Sequence, residues 1–570
     1  MSLNPLTSSW VETTLARMTL AEQIGQMLMA DFPAVFTSRE HENWRRIQSL
    51  IREQHLGGII LAGGSIFDIA VLTNELQQSS KMPLLVNADL ETGVTFWHPW
   101  RRARGRAPDL PDELTGGGTL LPRFMALGAT RNEDYAFQAG RIAAQESRAI
   151  GIHWTNSPLV DINTHPENPI INVRAFSDDP ALVARLGAAY VKGCQSAGVI
   201  ATLKHFPGHG DTAEDTHTRL PEIFLERARL HERELVPFRA GLAAGAKAVM
   251  TAHLAFPQID SSRKPATLSP LLLTNLLREE LGHEGLIVTD ALTMQGITNH
   301  FAPEEAVLLA AQAGADMLLI PVDMVRAHKC LMAAVHNGEL PAAQVRASVR
   351  RILTAKFGLG LHERRQVEIE KIRAAVNTPA AQQLAEKIAE AAITLLEHEG
   401  RMLPLNCENA ANMLALIISN TADPAEGEHL TNALTAKGHR VEIVRWNEEY
   451  AFALRERLTA QLQSCDLVLL AIYFTVGAWK GPMRLPEAMP QLLRQIHEQR
   501  KRAIAISFGD PYVFAKLPKM PVSVCAYGGG RLMERAVAQV LLGEVPIHGK
   551  LPVTISEGYR FGAGLTFRNL

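Results

Sequence analysis

The sequence has few cysteines, and they are not arranged for structural or metal chemistry. Cys194, Cys330, Cys407, Cys465 and Cys525 are odd in number, far apart and in no C-x-x-C pair. That spacing excludes a disulfide framework and a cysteine zinc site, and it fits buried thiols in a reducing compartment. Nowhere do about 18 apolar residues follow one another, so no membrane-spanning helix is expected. The opening stretch, "MSLNPLTSSWVETTLARMTLAEQIGQMLM", has no basic segment followed by a long apolar run, so no secretory leader is read there. An excess of charge is also missing, with 57 Lys and Arg against 59 Asp and Glu and a net charge of -2. Such a balance provides no global field to hold nucleic acid or an anionic membrane. Tandem repeats and low-complexity tracts are absent as well. What remains is the expectation of a small neutral partner, a cytoplasmic location and a monomer or homodimer.

The 570 residues, 47% hydrophobic and 20% charged, can form two or three cores. Between residues 57 and 320, short apolar runs rich in β-branched residues recur: "GGIILAG", "PLLVNAD", "IHWTNSPLVD", "VIATLKHF", "AKAVMTAHL", "GLIVTDAL" and "ADMLLIP". Each reads as a buried parallel strand. Helical patterns such as "NEDYAFQAGRIAAQESRAIG" and "DPALVARLGAAYVKGCQSAG" separate them and end at a glycine suited to a C-cap. Seven or eight such repeats predict an α/β fold with a (β/α)8 TIM-like barrel over residues 1–360. No G-x-G-x-x-G follows the first candidate strand, and no cofactor is expected.

Residues 361–380 are charged and without strand character, and read as a linker or bracing helix. From 381 to 570 a second series begins with a helix, "AQQLAEKIAEAAITLLEHEG", and continues through the strands "NMLALIIS", "RVEIVRW", "SCDLVLLAIY", "RAIAISFG" and "PVSVCAYGGG". This predicts a smaller α/β sandwich with a mostly parallel sheet. "AYGGG" before a helix lacks the P-loop lysine and the full dinucleotide fingerprint, and reads as tight packing at a strand-to-helix turn.

Several candidate strands end in polar residues: Asp89, Asp161, Lys204 with His205, His253 and Asp290. In a barrel the carboxyl ends of all strands converge on one face, so residues far apart in sequence meet there. The stretch "KHFPGHGDTAEDTH", residues 204–217, is the densest, with three histidines, three acids and a lysine around a Pro-Gly turn. Asp215 and His217 stand two apart, which in extended chain puts both on one side. A carboxylate beside an imidazole fixes its tautomer and suits it to donate and take back a proton near neutral pH. Asp290 closes an apolar strand, where a carboxylate needs a reason to exist. A nucleophile for an anomeric carbon is one reason; a helix N-cap or a core salt bridge are others.

These residues lie in segments that resemble glycoside hydrolase family 3, in its β-N-acetylglucosaminidase branch. "MTLAEQIGQML" is similar to the family's start, "DINTHPENPIINVRAFSDDP" to its D-x-N and R-x-F stretch, "VTDALTM" to its nucleophile strand and "AGADMLLIP" to the next strand. "KHFPGHGDTAEDTH" is the most specific match, and "CAYGGG" and "GKLPVTI" resemble the second domain of two-domain members. The resemblance implies a retaining β-N-acetylhexosaminidase that releases terminal N-acetylglucosamine from a glycan, with peptidoglycan recycling as a setting. Asp290 is then the nucleophile, and His217 the acid/base with Asp215 as its orienting partner. Asp89, Arg174, Lys204 and His205 hold the sugar, with His209 and Asp211 structural.

An imidazole in place of the usual second carboxyl does not repel an anionic acceptor, so a β-N-acetylglucosaminide phosphorylase on the same residues is the nearest alternative. A metal-dependent barrel hydrolase is another, but there is no H-x-H on the first candidate strand, and Pro207, Gly208 and Gly210 break any helical ligand spacing. One departure from the family pattern stands out. The D-x-E-G-G motif with a following arginine becomes "DLETGVTFWHPWRRARGRAPDLPDELTGGG", with Thr92 at the second glycine and a basic insertion over 97–118.

Overall fold

The computed structural model describes residues 5–94, 117–400, 402–420, 423–446, 455–477, 484–487 and 489–566. The first sheet has eight strands: β1 Leu28–Pro33, β2 Gly58–Ala62, β3 Leu85–Ala88, β4 Trp154–Thr155, β5 Ile200–Phe206, β6 Ala248–Thr251, β7 Leu286–Val288 and β8 Leu318–Leu319. Neighbours pair in parallel in the order β7-β6-β5-β4-β3-β2-β1-β8. Closure is short. The amides of Asp316 and Met317 donate to the Ile287 carbonyl at 2.8 and 3.1 Å, and the Thr289 amide donates to the Met317 carbonyl at 3.0 Å. The expected barrel is therefore present, with strands apolar along their length because both faces are covered.

The apolar runs read from the sequence begin at residue 57, and the structure adds one strand before them. The helix there, Leu20–Gln26, is capped by a Thr19–Glu22 capping box and gives way to β1. Helices between strands start where capping chemistry dictates. Asn132 caps Glu133–Ala149, and Asp179, followed by Pro180, caps Pro180–Ser196. Residues 361–380 carry the turns Ile369–Lys371 and Ile372–Ala375 and bury Ile372 and Val376 in the barrel's apolar core.

The second sheet comprises β9 Thr394–His398, β10 Asn412–Ser419, β11 Arg440–Trp446, β12 Leu467–Tyr473, β13 Arg502–Ser507 and β14 Val522–Cys525. Its order is β11-β10-β12-β13-β14-β9, parallel except for β9, which runs antiparallel to β14. One expectation is corrected here. The helix read over 381–400 stops at Ala392, and β9 takes its last third. Ile393 and Thr394 are β-branched and favour extended chain, and the open edge of β14 supplies the partner that the isolated segment lacks.

Candidate active site

β5 carries Lys204 and His205 just before its last residue, Phe206, and the loop beyond it runs through His209 to His217. Asp161, fully buried after β4, organises the start of this loop. One of its carboxylate oxygens accepts from the amides of His205 and His209 at 3.0 and 2.7 Å, and the other lies 2.8 Å from His205 Nδ1. Burial opposes the charge on Asp161, but His205 more than offsets it and holds the carboxyl below its ordinary range. An ionised partner makes Nδ1 the donor nitrogen of His205 in this contact. The loop then passes so close to the chain after β4 that a Cβ on Gly210 would stand 1.6 Å from the Ile162 carbonyl oxygen. Only glycine fits there.

His209 and Asp211 do structural work. His209 Nε2 meets Thr216 Oγ1 at 3.0 Å, and burial and His205 push its imidazole down to about 4. Asp211 accepts from Thr164 Oγ1 at 3.1 Å.

At the far end of the loop, Asp215 Oδ1 accepts from the His217 amide at 2.8 Å and lies 2.9 Å from His217 Nδ1. The pair expected from the i, i+2 spacing is formed. Asp215 is 8% exposed at its side chain and His217 28%, so the carboxyl is the inner member of the dyad.

Asp290 follows β7 and accepts from the Ala291 amide at 2.8 Å. Burial works against its charge, but His253, His205, the Ala291 amide and His217 together hold the carboxyl below the ordinary aspartate range. Asp290 therefore stays a carboxylate within electrostatic reach of the dyad. A backbone contact draws the two segments together. Gly296, a few residues after Asp290, donates its amide to the Thr216 carbonyl at 3.3 Å. A Cβ at Gly296 would lie 2.8 Å from the Thr216 oxygen and 2.7 Å from that of Arg219. His253 is fixed between Thr267 Oγ1 at 2.8 Å and the Ala291 carbonyl at 3.0 Å, and burial keeps its imidazole below the usual range.

Of the four residues expected to hold sugar, Arg174 and Lys204 meet at a carboxylate that sequence reasoning did not single out, Asp89 joins through Lys204, and His205 pairs instead with Asp161. Arg174 reaches Glu91 with Nε and Nη2 at 2.9 and 2.7 Å, a two-pronged pair. Lys204 Nζ lies 2.9 Å from Glu91 Oε1 and 3.0 Å from Asp89 Oδ1. Lys204 is 3% exposed at its side chain, whereas Asp89 is 58% exposed. Burial opposes ionisation of Glu91, but Arg174 and Lys204 dominate and hold it well below the carboxylate range. The same carboxylates raise the Lys204 amine against its burial. Arg123 joins this group. Burial pushes its guanidinium down, while Glu91 counters that and Arg174 adds to it. The signal for Glu91 was its place two residues after Asp89 in "DLETG"; nothing local marked Arg123. Arg101, Arg102, Arg104 and Arg106 of the basic insertion lie outside the described residues. Among the described residues, no group of three or more His, Cys, Asp or Glu side chains is arranged to hold a metal ion. No helix among them is long and apolar enough to cross a membrane.

Comparison with known proteins bears on what this pocket is for. The chain is 28% identical over 565 residues to a β-N-acetylglucosaminidase/β-glucosidase of Cellulomonas fimi, covering 96% of this chain and 95% of that one. It is 28% identical to β-hexosaminidase A of Pseudoalteromonas piscicida, over 97% of this chain and all of that one (100%). Among solved structures, a family 3 β-N-acetylglucosaminidase from Paenibacillus sp. is similar with a TM-score of 0.79 and 32% identity, covering 95% of this chain and 99% of that one. A β-glucoside phosphorylase, BglX, bound to 2FGlc, is similar with a TM-score of 0.84 and 26% identity, over 97% of each chain. Residues 19–355 match the glycosyl hydrolase family 3 N-terminal domain, and residues 393–560 match the family's C-terminal domain. With the barrel and the second sheet both matched, and with acids and imidazoles gathered at the barrel's carboxyl edge, the chain belongs to glycosyl hydrolase family 3 and is a glycoside hydrolase.

Proposed function

We propose that the protein is a retaining β-N-acetylhexosaminidase that removes terminal N-acetylglucosamine from a glycan or muropeptide. Asp290 attacks the anomeric carbon and forms a covalent glycosyl-enzyme. His217, oriented by Asp215 through Nδ1, protonates the leaving oxygen from Nε2 and then takes a proton from the incoming water. Two displacements at one carbon return the original configuration. Asp89 presents its exposed carboxylate to sugar hydroxyls, with Lys204, Arg174 and His205 beside it. Glu91 keeps both cations charged and aimed, so that binding does not depend on ordering long side chains at the moment the sugar arrives.

The observation that carries this reading is the tie between Gly296 and Thr216. It fastens the segment bearing the His217–Asp215 dyad to the segment behind Asp290. A nucleophile needs to be ionised, and the imidazoles around Asp290 favour that state. The histidines at 205, 209 and 217 are each engaged by a different neighbour, Asp161, Thr216 and Asp215, which argues against their converging on a metal.

A second reading rests on the imidazole acid/base and on the likeness to a β-glucoside phosphorylase. Phosphate, which a carboxylate base would repel, then takes the place of water on the same residues. Product analysis on chitobiose, with and without phosphate, tests both. Release of N-acetylglucosamine in the β configuration is expected. A sugar 1-phosphate in the phosphate arm makes phosphate the acceptor, and an α product or no release in either arm overturns the assignment of Asp290. We place the enzyme in the cytoplasm, as a monomer or homodimer. Its cysteines are unpaired, as in a reducing compartment.

A further inference from the structure

The chemistry above uses only the barrel, yet the second domain grips one part of it. Between β4 and the helix Pro180–Ser196, residues 156–179 cross the carboxyl edge of the barrel with little regular structure. This crossing carries Asp161, which orients His205 and anchors His209, and Arg174, which pairs with Glu91. It also reaches under the catalytic loop, where Asn168 Nδ2 donates to the His209 carbonyl at 2.9 Å and the His165 amide donates to the Gly210 carbonyl at 3.1 Å.

The second domain holds the crossing along its length. Asn163 Nδ2 donates to Tyr512 Oη at 2.8 Å. The buried carboxyl of Asp510 faces the Asn172 side chain. Asn172 has φ of 36°, in the left-handed region that a non-glycine residue enters at a cost. The Asp178 amide donates to the Pro552 carbonyl at 3.2 Å, and the Thr554 amide donates to Asp178 Oδ2 at 2.7 Å. Val173, next to Arg174, is buried in the second domain's apolar core. So are Met125, Ala126 and Ala129 of the helix Phe124–Thr130 that follows Arg123.

We propose that the second domain positions the sugar-binding side of the pocket, with Tyr512 and Asp510 as positioning residues for Asp161 and Arg174. The inference rests on the functional reading for what Arg174 and His205 bind. An irregular crossing must be ordered by something. When the second domain orders it in advance, the substrate is spared that cost, so loosening the clamp raises KM and leaves kcat nearly unchanged.

Tyr512→Phe keeps the ring and removes the hydroxyl that accepts from Asn163. Tyr527→Phe is the control. It removes a buried hydroxyl that donates to Thr394 Oγ1 at 2.8 Å within the second domain, away from the crossing. Amide hydrogen exchange over 161–178, in protein without substrate, and kinetics on a chromogenic N-acetyl-β-glucosaminide are measured on both. Tyr512→Phe is expected to speed exchange across 161–178 and to raise KM about three- to ten-fold, the loss of one buried hydrogen bond, with kcat within about two-fold. Tyr527→Phe is expected to do neither. Unchanged exchange in Tyr512→Phe overturns the proposal, as does faster exchange with an unmoved KM, or the same response in Tyr527→Phe. No turnover by the unsubstituted protein overturns the functional reading alone and leaves the exchange comparison to decide this one.

Discussion

The barrel and the second sheet both end parallel strands in a row of loops, and the two rows are furnished differently. At the barrel's edge, Asp89 and Glu91 after β3, Lys204, His205 and His217 from β5 and its loop, and Asp290 after β7 are linked by ion pairs and mutual fields. In the second sheet, the order β11-β10-β12-β13-β14 reverses direction between β10 and β12, the position where open α/β sheets receive ligands. That position is closed by the chain itself. The amides of Gly427, His429 and Leu430 at the start of the helix Glu428–Thr435 donate to the buried carboxyl of Glu534 at 3.1, 3.0 and 3.1 Å. Tyr473 stacks on Phe508 with centroids 4.7 Å apart, and its ring stands 3.0 Å from where a Cβ on Gly529 would be. The helix N-terminus that could hold an anion already holds one of the protein's own carboxyls. Topology says where a ligand could go, and side chains decide whether the place is open.

The sharpest way to break that contrast is to remove one carboxyl from each row. Asp290→Asn removes the nucleophile, and kcat is expected to fall by about 10⁴-fold or more, measured on a chromogenic N-acetyl-β-glucosaminide. Glu534→Gln leaves backbone donors short of a charged acceptor. It is expected to lower unfolding free energy by about 1–3 kcal/mol in urea titration while kcat and KM stay as they were. Equal loss of turnover in both variants would erase the difference between the two edges.

Within the barrel's row, the dyad and the nucleophile are separated by the leaving group. His217→Ala is expected to slow chitobiose cleavage by about 10²–10⁴-fold, because its alkoxide leaves poorly without a proton. On an aryl glycoside whose phenolate leaves unaided, the first displacement should be slowed far less. Asp215→Asn, which takes the partner from Nδ1, should show the same ordering with smaller losses. Comparable losses on both substrates would mean that His217 does not protonate the leaving group.

Much of this was legible because period and position carried it. The strand Asn412–Ser419 coincides with an apolar run in the sequence, since a buried parallel strand is apolar on both faces, and the edge strand Arg440–Trp446 coincides with a β-branched stretch that buries only Val444 and Trp446. Asp215 and His217 were legible because their pairing is local. Glu91 was not, because its partners, Arg174 in the crossing after β4 and Lys204 on β5, are far away in sequence, and long-range ion pairs leave no spacing to read. β9 was hidden for a related reason: its strand state comes from the edge it joins. Lys356 is fully buried with Gln26 Oε1 as partner, and burial pushes its amine down to about 7. Nothing in "RRILTAKFGLG" distinguishes it from an exposed helical lysine.

Glu234 gives the most specific test, because it lies just behind the catalytic loop without belonging to it. The residue is 2% exposed, and its Oε2 stands 3.0 Å from where a Cβ on Gly208 would be. Its nearest cation, Arg233, is 3.8 Å away at Nε. Burial raises the carboxyl to about 7, with Arg233 opposing and Asp211 and Asp161 adding to the rise. Between about pH 4.5, where an exposed glutamate ionises, and about 7, the unfolded chain releases this proton while the folded chain keeps it. Stability from this group is therefore complete below that range and is lost as pH rises through it. Glu234→Gln removes the titration, so unfolding free energy should lose on the order of a few kcal/mol less between pH 4.5 and 8 than in the unsubstituted protein. Chemical denaturation at each pH measures the slope, and parallel curves for the two proteins would show that the carboxyl under Gly208 is already ionised at neutral pH.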